Sequence, residues 1–444
     1  MNGTSPRPVS PSARLAATVA DERAAPLDWR DKAVQPKWYG RTIEDVVAAS
    51  PALDELSTPM MTLDRGALDE NIQAMHEWCE SAGVSLAPHG KTIMSPALWQ
   101  EQLSAGAWAI CVANEPQLRV ARGVGLSRII VANLLLGSET LAWLSEELDA
   151  DDNFEFCCWV DSIEAVSIMN AALSKAGGRR RVSVLVEVGA VNGRTGTRSH
   201  AEAIAVADAV IAAPTLALAG VSAFEASAMG HAVDEAGLAQ VDEFLMRMVT
   251  LHHALVGRYE VSEALLTAGG SVYFDRVAAI LGPEGVSEGD GLTRVVLRSG
   301  AYIVHDDGLY REVTPSTRGA GPILRSAMHV WARVISIHEQ GIAYLDAGKR
   351  DLPFDEGLPE VQLARRTGAG GTQVFPLTAH EIFRTNDQHS FVRLPDDSPL
   401  RVGDVVRLGL SHPCTAFDKW SLIPIVDSAS IDSPTVVDLV RTYF

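Results

Sequence analysis

A chain of 444 residues is too long for one small core, and its formal net charge of −19 repels nucleic acid and anionic membrane. These properties favour a small-molecule ligand and one large domain beside a smaller one. Five cysteines without CxxC spacing, no charge-free apolar stretch of membrane length and no signal-peptide h-region give the expectation of a cytoplasmic protein with neither a nucleic-acid nor a membrane partner.

Residues 1 to about 25 are rich in Pro, Ser, Ala and Arg and read as disordered, within an N-terminal segment set at 1–45. From about Thr58, short β-branched runs alternate with stretches of helical period. Strands are expected at Val84–Pro88, Ala109–Ala113, Arg128–Asn133, Phe154–Asp161, Val182–Val188, Leu216–Ala223, Ala264–Ala268 and Arg294–Arg298. Between them Leu68–Ala82, Ser199–Ala213 and Leu238–Leu255 carry apolar residues at helical spacing. Eight strands alternating with helices predict an α/β fold, a parallel (β/α)8 barrel over 46–314; an open doubly wound sheet is the alternative. After about Thr314 the rhythm changes. Val330–Ile337, Ile342–Leu345, Phe391–Leu394 and Asp404–Leu410 read as strands of a mainly β domain over 315–444, with no strong helix before the C-terminus.

In such a barrel, reactive groups sit where strands end. Lys91 does so, in Pro88-His89-Gly90-Lys91-Thr92 after the first strand. A desolvated lysine loses its proton more readily and can form a Schiff base. Gly269-Gly270-Ser271 follows the seventh strand, where barrels often bind phosphate: two glycines admit backbone N–H groups and the serine adds a hydroxyl. Arg194, after the fifth strand, can donate to a phenolate oxygen. Tyr302, in Arg298-Ser299-Gly300-Ala301-Tyr302 after the eighth, either touches a cofactor ring or packs at the domain junction. His412 and Cys414, one residue apart in a segment read as extended, present imidazole and thiolate on one face, a donor pair that suits Zn²⁺. His389 and His380 are candidates to support that metal, or plain surface histidines. Trp99, Trp108 and Trp159 line a bulky pocket or pack the core.

The Pro-His-Gly-Lys-Thr motif resembles the cofactor-lysine motif of fold-type III pyridoxal-phosphate (PLP) enzymes of the D-threonine aldolase and D-serine dehydratase group, and the resemblance runs from about Thr58 to Asp427. It implies an alanine-racemase-like barrel with a C-terminal β domain, a homodimer, a Schiff base on Lys91, Arg194 near the cofactor's O3′, and a phosphate loop at Gly269, Gly270 and Ser271. His89 and Tyr302 join the implied cofactor set. Three features depart from the family pattern: Ser299 replaces a proline, Thr92-Ile93-Met94 lacks a second histidine, and Asp387-Gln388-His389 replaces an acidic Glu-Glu-His stretch. Within the group, aldolases resemble His-x-Asp and dehydratases His-x-Cys. The resemblance therefore implies a PLP- and zinc-dependent dehydratase that turns 3-hydroxy-D-amino acids such as D-serine or D-threonine into 2-oxo acids and ammonia. Retro-aldol cleavage by a metal-dependent D-threonine aldolase, racemisation, a non-catalytic PLP-carrying regulatory protein and a PLP-free metallohydrolase are the competing readings.

Overall fold

Two sheets organise the chain in the computed structural model, which describes residues 12–282, 293–368, 371–429 and 432–444. In chain order the strands are β1 Met60–Asp64, β2 Ser85–Leu86, β3 Ile110–Val112, β4 Arg128–Leu134, β5 Glu155–Val160, β6 Val182–Val188, β7 Leu216–Ala223, β8 Ala264–Ala268 and β9 Thr293–Leu297. There follow β10 Met328–Ser336, β11 Ile342–Leu345, β12 Glu360–Gly368, β13 Gly371–Pro376, β14 Glu381–Thr385, β15 Ser390–Arg393, β16 Val405–Gly409, β17 Leu422–Val426 and β18 Val436–Arg441.

β2 to β9 are all parallel and run in the order β2-β9-β8-β7-β6-β5-β4-β3. The ring closes between β2 and β3 through a parallel bridge of His89 with Cys111. There the amides of Trp108 and Cys111 donate to Leu86 and Pro88 at 2.7 and 2.9 Å. All eight predicted strands are present, and the closed seam excludes the open doubly wound sheet. Several helices between the strands start on side-chain caps. Asp64 accepts from Ala67 N ahead of Arg65–Ser81, and Ser162, Ser199 and Asp234 do the same for later helices. The strands alternate. Cys157, Trp159, Leu185, Ala219, Leu265 and Val296 fill the barrel, while Cys158, Val160, Val186, Val221 and Leu266 pack outward in the main core.

The second sheet runs β11-β15-β14-β12-β16-β10-β1-β17-β18, with β13 paired to β12. It corrects the domain limits. β1 precedes the barrel in sequence but lies in this sheet, antiparallel to β10 and parallel to β17. Residues 27–56 pack against the same sheet, with Leu27, Ile43, Val46 and Leu53 buried beside Trp331, Leu422 and Val436. The expected N-terminal disorder is also corrected where it can be judged. Residues 1–11 lie outside the described residues, but Ala13–Ala24 is a helix capped by Ser12, and its Leu15 is fully buried. The C-terminal segment is a strand, β18, paired with β17. No helix among the described residues is long and apolar enough to cross a membrane.

Candidate active site

The lysine loop sits on the seam of the barrel. Gly90–Thr92 is a single 3-10 turn just past β2. A Cβ on Gly90 would lie 2.7 Å from both Ile110 and the Trp99 indole, so only glycine lets the turn fold down over the seam. Trp99 is thus a core residue under the lysine turn. His89 is the next polar group inward. Burial, then the charges of Lys91 and Arg298, push its imidazole pKa well below the usual value, so the ring is neutral, and its buried Nδ1 has no hydrogen-bond partner.

The His-x-Cys segment comes down onto this turn from the β domain. Thr92 Oγ1 lies 3.4 Å from Cys414 Sγ. The local conformation differs from the extended one expected. His412 has φ +53° and Pro413–Thr415 form a 3-10 turn, because the proline fixes the turn and Asp306 Oδ2 accepts the His412 N–H at 2.9 Å. The two side chains still meet, through this tight turn instead of a shared strand face. His412 Nδ1 pairs with Asp355 Oδ2 at 2.6 Å, and Thr415 Oγ1 donates to the other oxygen of that carboxylate at 2.7 Å. Burial opposes ionisation of both partners. For Cys414 the hydrogen bond from His412 and the charge of Lys91 outweigh it and lower the thiol pKa. For His412 the Cys414 and Asp355 contacts outweigh it and raise the imidazole to about 9. With Nδ1 held by a carboxylate, Nε2 is left for a metal, the usual orienting arrangement for a histidine ligand. An imidazole and a thiol poised to ionise therefore fit Zn²⁺. Among the described residues no group of three His, Cys, Asp or Glu converges as a metal site. His389 is exposed on the β14–β15 hairpin, and His380 is held by Thr378 O and Ser398 Oγ.

The proposed phosphate loop carries an unforeseen resident. The amides of Gly269 and Gly270 donate to the two oxygens of Glu225 at 3.2 and 2.8 Å, and Glu225 is fully buried. Gly269 needs its positive φ of 89° for this turn. The two amides do have the anion preference read from the sequence, but a carboxylate of the chain satisfies it. Ser271 accepts from Ala301 N at 3.3 Å and also bonds Tyr310, whose phenol pKa is raised by burial and by the nearby Cys414. Tyr310 therefore links the loop after β8 to the His-x-Cys turn, a role that no sequence signal marked.

Arg194 stands on an exposed loop with its guanidinium 5.1 Å from the Phe224 ring, and its charge bears on both His89 and Glu187 at the barrel mouth. Tyr302 points elsewhere. Its hydroxyl accepts from Gln102 at 3.0 Å behind the barrel wall, and burial and the neighbouring Cys79 raise its pKa. Of the two uses expected for Tyr302, packing is the one observed. Trp159 lies in the barrel under Arg298, at 5.5 Å, and Trp108 is stacked by Arg128 and Arg294 near the strand starts.

Residues 63–273 match the family model "Alanine racemase, N-terminal domain" and residues 327–426 match "Putative serine dehydratase domain". The chain is 27% identical over 384 residues to a D-threonine aldolase of Arthrobacter sp., covering 86% of this chain and 92% of that one. Among solved structures, D-threonine aldolase from Filomicrobium marinum superposes with a TM-score of 0.73 at 24% identity, covering 88% of this chain and 97% of the other. D-threo-3-hydroxyaspartate dehydratase from Delftia sp. gives 0.65 at 19%, covering 87% and 98%. Both share this fold.

Proposed function

From a chain built of an alanine-racemase-type barrel and a serine-dehydratase-type β domain, we propose a PLP-dependent lyase of 3-hydroxy-D-amino acids, assisted by zinc and acting as a dehydratase. The observation that carries the reading is the meeting of two motifs more than three hundred positions apart: Thr92 beside Lys91 touches Cys414, and Cys414 touches His412. Lys91 is thus within electrostatic reach of the Cys414–His412 pair, as one site using both would require.

PLP bound at Lys91 supplies an electron sink for loss of the α-proton. Lys91 is the amine placed to hold it and, when free, to accept that proton at Nζ. Ser271 would supply a hydroxyl to the phosphate, and Arg194 a fixed positive charge to O3′. A zinc held by His412 and Cys414 adds Lewis acidity for a departing β-hydroxyl. Asp355 keeps the His412 ring turned toward it. The thiolate donor, in place of a carboxylate, favours the dehydratase reading. Similarity to D-threonine aldolases favours the second reading, in which the same residues serve cleavage of Cα–Cβ. The relatives' substrates and the acidic field of the chain support a small hydroxyamino acid as ligand and leave nucleic acid and membrane without support.

The test is to incubate purified protein with D-serine, D-threonine and aromatic 3-hydroxy-D-amino acids, scoring 2-oxo acid with ammonia separately from aldehyde with glycine. Oxo acid as the main product is the expected result; aldehyde and glycine move the function to the aldolase. Borohydride reduction and peptide mapping are expected to label Lys91, and a label on another lysine overturns its assignment.

A further inference from the structure

Three buried polar atoms at the mouth of the barrel have no hydrogen-bond partner: His89 Nδ1, Glu187 Oε2 and Ser222 Oγ. Glu187 is 7% exposed and Ser222 is fully buried. Their neighbours in sequence fix where they point. Val186 and Val188, like Val221 and Ala223, belong to the outer core, so Glu187 and Ser222 face the barrel interior. They are also direct partners in the β6–β7 register. Arg298 lies near both Glu187 and His89, since its charge acts on each. Its own donors go to Thr267 Oγ1 at 2.8 Å and Ala223 O at 2.6 Å. Thr195 bonds the Glu187 carboxyl, but leaving its Oε2 and the Ser222 hydroxyl buried without a partner is costly, and a site that does so is built for a polar group it does not itself supply.

The strand order says which end of the cofactor reaches them. Lys91 follows the first strand of the barrel, β2, and Glu187 lies on the fifth, β6, directly across the ring of eight. In PLP the aldehyde carbon that joins the lysine and the pyridine nitrogen are at opposite ends of the ring. The phosphate arm leaves from the carbon beside the aldehyde-bearing one, and reaching Ser271 would put it on the side of β8 and β9. With the aldehyde end at β2, the nitrogen would point to β6 and β7. We propose that Glu187, supported by Ser222, is the partner of the pyridine nitrogen and holds it protonated. This rests on the reading of Lys91 as the PLP lysine. A carboxylate there makes a charge-assisted hydrogen bond to the ring N–H and strengthens the cofactor as an electron sink. Burial raises the pKa of Glu187 when it is alone, so the proton needed for the pair is already at hand.

The experiment uses holoprotein loaded with PLP carrying ¹⁵N in the ring. In wild type the nitrogen resonance is expected in the protonated pyridinium range. In Glu187→Gln it moves to the unprotonated range and PLP is lost about tenfold more readily. Glu187→Asp restores part of the protonated signal, and Ser222→Ala, a change small enough to leave the fold intact, shifts it less than Glu187→Gln. An unprotonated nitrogen in wild type overturns the proposal and gives the position to Arg298. Identical signals in wild type and Glu187→Gln also overturn it and leave the orphan atoms to a buried water. Absence of a Lys91 label after borohydride reduction of wild type overturns the PLP reading itself, and this inference with it. A labelled Lys91 with an unresponsive nitrogen overturns this inference alone.

Discussion

Asp355 and Thr415 show how a two-residue motif acquires its chemistry from its surroundings. His412 and Cys414 are legible in the sequence, but the carboxylate that orients the imidazole is 57 positions away, on an exposed loop with no motif of its own. A zinc ion taken up at His412 would have to displace the proton that the ring, its pKa raised to about 9, holds at neutral pH. Apparent zinc affinity of the metal-free protein is therefore expected to rise with pH from 7 to about 9 and then level. In Asp355→Asn the imidazole loses that carboxylate, so the plateau is reached at lower pH; competition with a zinc indicator across pH reads both. Cys414→Ala is expected to lose most bound zinc and most turnover while PLP stays on Lys91, seen as retained near-ultraviolet and visible cofactor absorbance with loss of metal by elemental analysis. The Gly269-Gly270-Ser271 stretch was legible as an anion-seeking turn, but not its engagement by Glu225. A glutamate buried 44 residues upstream leaves no mark in a local pattern. Gly270→Val is expected to lower PLP retention and stability together, because a Cβ there already falls 2.8 Å from the Phe224 ring. Unchanged retention on dialysis would count against that loop as part of the cofactor site.

Strands of the barrel were readable because each is a short β-branched run bounded by turns, with the helices between them marked by apolar spacing. The β domain was read less fully. β10, β11, β15 and β16 follow that rule, but β12 carries Arg365 and Arg366 in its middle and β17 carries Pro424 among five buried residues, so neither looks like a strand locally. Arg365 is tolerated because its aliphatic stem and guanidinium pack over Trp331, 5.8 Å away, and it donates to the carbonyl of Asp432. β10 also carries His329 between β1 and β16. Burial pushes the pKa of His329 down to about 3, despite Asp307 at 3.6 Å, a separation too long for a hydrogen bond. A histidine whose folded pKa is depressed gives stability that is full above its unfolded value near 6.5 and is lost as pH falls toward 3. His329→Gln is expected to show a shallower fall of Tm between pH 6.5 and 4 than wild type. Parallel slopes would show that His329 does not titrate across folding.

At the scale of the molecule, the two ends of the chain are tied together. The N-terminal helix donates from Arg14 and Thr18 to the Gly123 and Val124 carbonyls of the barrel, and Arg23 reaches Asp438 on β18. Deleting residues 1–24 is expected to lower Tm by several degrees, since it uncovers the wall that Leu15 seals; an unchanged melt would make the helix dispensable. Such ties predict a single melting transition for barrel and β domain, and two resolved calorimetric peaks would contradict it. The placement of β1 bears on how the protein is born. Met60–Leu63 emerge from the ribosome early, yet their two neighbours, β10 and β17, are synthesised only after the entire barrel. At ordinary elongation rates a mostly apolar ribbon, fully buried in the finished fold, waits on the order of tens of seconds with both edges open. During that interval it is the segment of the nascent chain most in need of a chaperone, and crowded expression at high temperature is the condition under which it would pair with the wrong neighbour.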